Sequence, residues 1–113
     1  MREVIRLYMH LFERGASVRD VLEDEDIKLR YESTPADVGG WSFPEQPRVI
    51  FVSARLSNAS IDRVLVHELG HLKGLSERKC KILAELYLTF YSRPLPPLDV
   101  LLLVAAGIGT LIT

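Results

Sequence analysis

The amino-acid sequence predicts an α+β fold, in which helices and a small sheet occupy separate stretches of the chain. Apolar residues recur at helical spacing over residues 2–14, whereas residues 27–33 alternate between apolar and polar side chains. Two further strand-like runs follow before helical spacing returns. The predicted order is therefore an N-terminal helix, a small three-stranded sheet, two longer helices and an apolar C-terminal tail.

Capping and turn residues mark the boundaries in the first half of the chain. Gly15 is expected to end the first helix, and Ser17 to cap a short helix that runs to about residue 23. The acidic run EDED, residues 23–26, is interpreted as a solvated helix end. The turn PEQP separates strands near 40–43 and 48–54.

A glycine separates the two longer helices that follow. Ser60 is predicted to cap the first of them, and Gly74 to interrupt it. Ser76 is expected to cap the second, which continues to about residue 91. A proline-rich run that begins at residue 94 would stop it.

Length, charge and cysteine content limit the class of protein. A chain of 113 residues is predicted to form one domain, and a net charge of -1 with interspersed signs excludes a nucleic-acid-binding footprint. The single cysteine, Cys80, rules out an intrachain disulfide and favours a reducing, cytoplasmic setting. The amphipathic N-terminus does not have the apolar core of a signal peptide, so secretion is not expected.

The segment HELGH, residues 67–71, is the part of the sequence most informative about function. Residues four apart share one face of a helix, so His67 and His71 can direct their imidazoles at one zinc ion. Glu68 is the predicted general base, taking the proton of the attacking water and passing it to the departing amine. The neighbouring residues are apolar, which favours a buried helix beneath a metal over two structural histidines.

The spacing leaves the third zinc ligand open. Glu77 follows Gly74, where the chain can turn back sharply toward the metal. Glu85, two helical turns further on, could also reach the ion. Cys80 is interpreted as a packed core residue rather than a thiolate ligand, and His10 as a histidine outside the site.

HELGHLKG, followed by a helix with ERKCKILAELY, resembles the catalytic core of the gluzincin zinc peptidases. The resemblance is closest to the minigluzincins, which mimic the catalytic domains of integral-membrane prenyl-protein and BlaR-type metallopeptidases. In those membrane families an E-x-x-(A/C)-D motif supplies the third ligand, and the match at Glu77 to Cys80 implies that Glu77 has this role. Lys81 replaces the motif's aspartate, and no histidine follows His71, although histidine is described as the third ligand in minigluzincins. The spacing from His71 to Glu77 also resembles that of the metzincins.

The C-terminal tail divides the chain into a predicted catalytic domain, residues 1–93, and a linker with an apolar segment, residues 94–113. Residues 100–113 have no charge and are too few for a membrane span, which needs about twenty apolar residues. The resemblance implies that this tail keeps the enzyme latent, by lying along the cleft or by exchange between two molecules of a homodimer. A core helix and a membrane-associating tail are the alternatives.

The predicted function is a zinc-dependent endopeptidase that hydrolyses extended peptides and is latent in its full-length form. The strand at residues 48–54 is expected to form the rim of the cleft and to pair with substrate along an exposed edge. The downstream candidates for an oxyanion stabiliser are Tyr87, Tyr91, Arg78 and Arg93.

Two other functions fit the same sequence. The chain could be a degenerate scaffold of this fold that binds a peptide or a second copy of itself. It could also be a small membrane-associated protein that acts through its tail, with structural histidines.

Overall fold

A computed structural model describes residues 2–12, 17–33 and 39–89 of the protein. The predicted helix end at Gly15 and the tail, residues 94–113, lie outside these ranges. Within the ranges the α+β class is confirmed, with four helices and one three-stranded sheet. In chain order the elements are α1 (Arg2–Phe12), α2 (Val18–Asp24), β1 (Lys28–Glu32), β2 (Gly40–Phe43), β3 (Gln46–Ser53), α3 (Asn58–Leu72) and α4 (Glu77–Thr89).

The central strand of the sheet is β3, because the strand order is β1-β3-β2. β1 runs parallel to it, with Leu29 beside Ile50, and β2 runs antiparallel, with Trp41 beside Phe51. The prediction that residues 48–54 present an exposed edge is therefore wrong, since the backbone of β3 is paired with a neighbour on both sides. Among the described strands, β2 is the edge strand that packs against α3.

Helix α3 lies between the sheet and α4, and its apolar side chains form the centre of the core. Helix α4 packs against α3 and also against α1. Burial of this many aliphatic side chains is the main source of stability, at roughly 1.5–3 kcal/mol for each fully buried side chain. The buried hydrophobic residues of α3 are Ile61, Leu65, Val66 and Leu69.

The acidic run at residues 23–26 forms the end of α2, as the sequence predicts. Asp26 adopts a φ of 56°, in the left-handed region. The amide of the next residue, Ile27, donates a hydrogen bond of 2.8 Å to the carbonyl of Leu22. This arrangement satisfies a carbonyl that the end of the helix would otherwise leave unpaired.

Glu25, within the same run, connects three helix ends. It accepts a hydrogen bond from Lys73 at the end of α3, and its carboxylate lies 3.5 Å from Nε2 of His10 in the last turn of α1. The packing of α3 against the N-terminal helices is therefore supported by charge as well as by apolar contact.

The longest described helix, α3, has 15 residues. No helix in the described part of the chain is both long enough and apolar enough to cross a bilayer. The membrane alternative rests on residues 100–113, which lie outside that part.

The residue that caps α3 is Ser57, so the prediction of Ser60 is wrong. Ser57 has the extended backbone of a capping residue (φ −70°, ψ 163°), and its Oγ accepts a hydrogen bond of 3.4 Å from the amide of Ser60. Ser60 already lies in the first helical turn and therefore cannot cap it. The sequence offers two serines three positions apart, and only the backbone angles separate their roles.

We expect Ser57→Ala to lower the free energy of unfolding by about 1 kcal/mol, because an amide at the start of α3 loses its acceptor. Ser60→Ala is the matched control, with an expected loss below about 0.5 kcal/mol. Urea denaturation followed by circular dichroism measures both values. Equal losses would contradict the assignment of Ser57 as the cap.

Candidate metal centre

The turn between α3 and α4 brings an acidic residue back to the histidine face of α3. The amide of Gly74 donates to the carbonyl of His71 at 3.0 Å, and the amide of Leu75 donates to the carbonyl of Gly70 at 2.9 Å. This pair of bonds forms a Schellman motif, which requires a left-handed residue after the helix end, and Gly74 supplies it with a φ of 87°. Two residues later α4 begins at Glu77.

Three potential ligand side chains meet at this turn. His67, His71 and Glu77 each direct one ligand atom to a common point, and these atoms lie within 4.8 Å of one another. Oε1 of Glu77 lies 3.0 Å from Nε2 of His67, and Oε2 lies 2.7 Å from Nε2 of His71. The carboxylate of Glu77 therefore faces both imidazoles.

The orientation of the His71 ring is set by a contact of Nδ1, the ring nitrogen that does not face Glu77. Nδ1 lies 3.2 Å from the carbonyl oxygen of Leu75, and a carbonyl can only accept, so Nδ1 is the donor. A backbone carbonyl in this position fixes the tautomer that directs Nε2 at the cluster. Lys81, which replaces the supporting aspartate of the resembled motif, is exposed on α4.

The electrostatics of the cluster favour an ionised Glu77. Burial by itself would raise the pKa of this carboxyl, but hydrogen bonds from His71 and His67, together with the charges of the two rings, hold the pKa below its ordinary value. The first turn of a helix also favours negative charge. These hydrogen bonds and charges require protonated rings, whereas a metal requires neutral imidazoles, so they act in the metal-free cluster and a bound cation would replace them.

The donor set fits a catalytic metal ion. Two imidazole nitrogens and one carboxylate oxygen are a common ligand set for catalytic zinc, and three protein ligands leave a coordination position open. The three side chains are all at least partly accessible, with exposed fractions of 19% for His67, 31% for His71 and 60% for Glu77. The cluster can therefore hold a metal ion at the surface of a cleft.

Glu68 lies beside the cluster and is only 8% exposed. Its Oε1 accepts a hydrogen bond of 2.8 Å from the hydroxyl of Ser42 on β2. A buried carboxylate is costly unless it is hydrogen-bonded, and Ser42 meets that requirement. Glu68 thus has a defined position between the histidine helix and the edge strand.

An open cleft of about 330 Å³ runs along these groups. One wall is formed by β2 and the turn that follows it, and the other by α3. The lining residues are Gly40, Trp41, Ser42, Pro44, Glu68 and His71. The cleft is large enough for part of an extended peptide beside the edge strand.

The other candidates for third ligand lie elsewhere. Glu85 is paired with Arg63 on α3. Cys80 is buried, its Sγ donates to the carbonyl of Leu75 at 3.6 Å, and burial followed by the charges of nearby glutamates raises the pKa of its thiol to about 12. This thiol stays protonated and packs in the core, as the sequence analysis interpreted it.

Neither Tyr87 nor Arg78, the described oxyanion candidates, is among the residues that line the cleft. The hydroxyl of Tyr87 is buried and accepts a hydrogen bond of 2.9 Å from the amide of Val18, so its role is packing. Arg78 is exposed on α4. Tyr91 and Arg93 lie outside the described residues.

Ser42, which lines the cleft and contacts Glu68, was not among the residues predicted from the sequence. The signal was present, because a small polar residue between Trp41 and Phe43 must face the opposite side of the strand from those aromatic rings. Only the packing of β2 on α3 shows what lies on that side.

Comparison with known proteins identifies the family. A family model described as Peptidase_M78, IrrE N-terminal-like domain, matches residues 22–94, which covers well over half of the chain and includes the whole metal cluster and the cleft. Searches of the curated proteins and of the solved structures returned no match. The match agrees with a metallopeptidase-type domain of the zincin kind, as expected from the two histidines on α3. The chain belongs to the Peptidase_M78 family of IrrE N-terminal-like domains.

Proposed function

We propose that the protein is a zinc-dependent endopeptidase, in which His67, His71 and Glu77 hold the metal and Glu68 is the general base. The observation that carries this proposal is the convergence of three ligand atoms within 4.8 Å, beside a buried glutamate in an open cleft. The family match supports peptidase chemistry in general. The resemblance to gluzincins supports the finer assignment of Glu77 as third ligand.

The reaction needs few groups beyond those described. A zinc ion in this cluster would polarise the scissile carbonyl and lower the pKa of water. Glu68, on the cleft side of α3, takes the proton from the attacking water with its carboxylate and transfers it to the amine of the departing peptide. Its low exposure reduces the screening of its charge by water, which strengthens its electrostatic interactions.

The substrate class follows from the edge strand. β2 borders the cleft, and an extended peptide can pair with its backbone as an added strand. Such recognition uses main-chain hydrogen bonds, so it selects unfolded or extended segments rather than one particular sequence. The substrate strand therefore adds to β2 in our proposal, and not to β3 as the sequence analysis expected.

The C-terminal segment, residues 94–113, is proposed to hold the enzyme latent. Its fourteen uncharged residues from 100 to 113 need cover from water, and an apolar cleft or a second copy of the chain would provide it. Exchange of this segment between two copies would give a homodimer. The single cysteine supports a reducing, cytoplasmic setting for the enzyme.

Zinc content tests the ligand set. Protein purified without added metal is expected to contain about one zinc ion per chain, as in three-ligand sites. His67→Ala and Glu77→Ala are expected to lose it, because each removes a ligand, whereas Glu85→Gln should retain it. Atomic emission spectroscopy gives the metal content. Retention of zinc by Glu77→Ala with loss in Glu85→Gln would move the third ligand to Glu85, two turns further along α4.

Turnover tests the general base. Glu68→Gln is expected to lower the rate of cleavage of an unfolded protein substrate by roughly 10²-fold or more, because the amide cannot accept the proton. The variant should retain zinc, since Glu68 is not a ligand in the proposal. Equal rates for the parent and Glu68→Gln would favour the binding scaffold over the enzyme.

Truncation tests latency. A chain that ends at Leu95 is expected to cleave the same substrate several-fold faster than the full chain, because the proposed blocking segment is removed. Mass spectrometry of the products measures the rates, and size-exclusion chromatography shows whether the full chain dimerises. Equal rates for the two chains would rule out the latency proposal and leave the metal site unaffected.

A further inference from the structure

We propose that Ser42 is a positioning residue for the reaction, which acts by orienting the carboxylate of Glu68. This inference rests on the proposed function. Its basis is the hydrogen bond of 2.8 Å that the Ser42 hydroxyl donates to Oε1 of Glu68. The bond joins residues 26 positions apart, and it links the edge strand to the metal helix.

The local structure of β2 directs Ser42 toward α3. The ring of Trp41 stacks on Phe51 with centroids 5.4 Å apart, and the ring of Phe43 packs edge-on against Phe51 at 5.9 Å. Trp41 and Phe43 thus share one face of the sheet, and the residue between them faces the other. The pairing of β2 with β3 is also irregular between Trp41 and Phe43, and such bulges commonly redirect a side chain beside an active site.

A close approach of the strand to the helix makes the contact possible. Gly40 lies two residues before Ser42, on the same face of β2. A Cβ atom at Gly40 would come within 2.5 Å of Cγ1 of Val64 on α3 and within 2.6 Å of the carbonyl oxygen of Phe51. Any larger residue at this position would separate β2 from α3, and the Ser42 hydroxyl would lie beyond hydrogen-bonding distance.

The hydrogen bond gives the two carboxylate oxygens of Glu68 different roles. Oε1 is occupied by Ser42, which restricts rotation of the carboxylate and leaves Oε2 as the oxygen that accepts the water proton. A hydrogen bond to an ionised acceptor is short and strong, so it can hold this orientation. Because β2 also borders the cleft, the same strand would place both the substrate backbone and the base.

Steady-state kinetics of the full chain, loaded with zinc, provide the first test. Ser42→Ala is expected to lower kcat about tenfold, because a misoriented Glu68 carboxylate accepts the water proton less efficiently. KM and zinc content should stay near the parent values. Ser42→Thr keeps the hydroxyl and should restore most of kcat. Ser53→Ala is the matched control, because Ser53 is a buried sheet serine whose Oγ accepts from the amide of Arg55 outside the cleft. An unchanged kcat in Ser42→Ala, or equal losses in Ser42→Ala and Ser53→Ala, would overturn the inference.

A thermal-unfolding cycle tests the same contact without turnover. Ser42→Ala should lower the unfolding midpoint of the metal-free protein by about 4 °C, and it should have no such effect in a Glu68→Ala background. Equal shifts in both backgrounds would overturn the inference. Failure of both the full chain and the chain that ends at Leu95 to cleave any unfolded substrate would instead overturn the proposed function, so the two failures are distinguishable.

Discussion

The left-handed turn at Gly74 is the constraint on which the metal cluster depends. Two histidines on one helix face supply only two ligands, and the third must come from a segment that returns to that face within a few residues. The Schellman motif at the end of α3 reverses the chain, and α4 then starts with Glu77 at its first residue. A side chain with a Cβ would be strained at the φ of 87°, so the position of the carboxylate depends on one glycine.

The carboxylate of Glu68, the general base in our proposal, is held in place by a contact with the sheet. Glu68 is nearly buried in an apolar helix, where an unpaired carboxylate would destabilise the fold, and Ser42 provides its hydrogen bond. The three candidate ligands and Glu68 are therefore positioned by different contacts, one through the α3–α4 turn and one through β2. Both sets of contacts involve α3, whose apolar side chains pack in the core.

Two other acidic residues, which lie away from the cleft, are paired with basic or imidazole side chains. Glu85 is paired with Arg63, and Glu25 with Lys73 and His10. Partly exposed pairs of this kind contribute little to stability. Among the described residues, the group arranged to hold a metal is the one at the α3–α4 turn.

Local sequence determined the type and order of the elements and the placement of two histidines on one helix face, because these depend on spacings within a single helix or strand. Tertiary structure decided three other points. It placed β3 at the centre of the sheet and β2 at the edge, it paired Glu85 with Arg63, and it brought Ser42 to Glu68. Each of these points concerns residues that are distant in sequence, or candidates between which the sequence does not distinguish. Only the packing of β2 and α4 against α3 sets the distances between them.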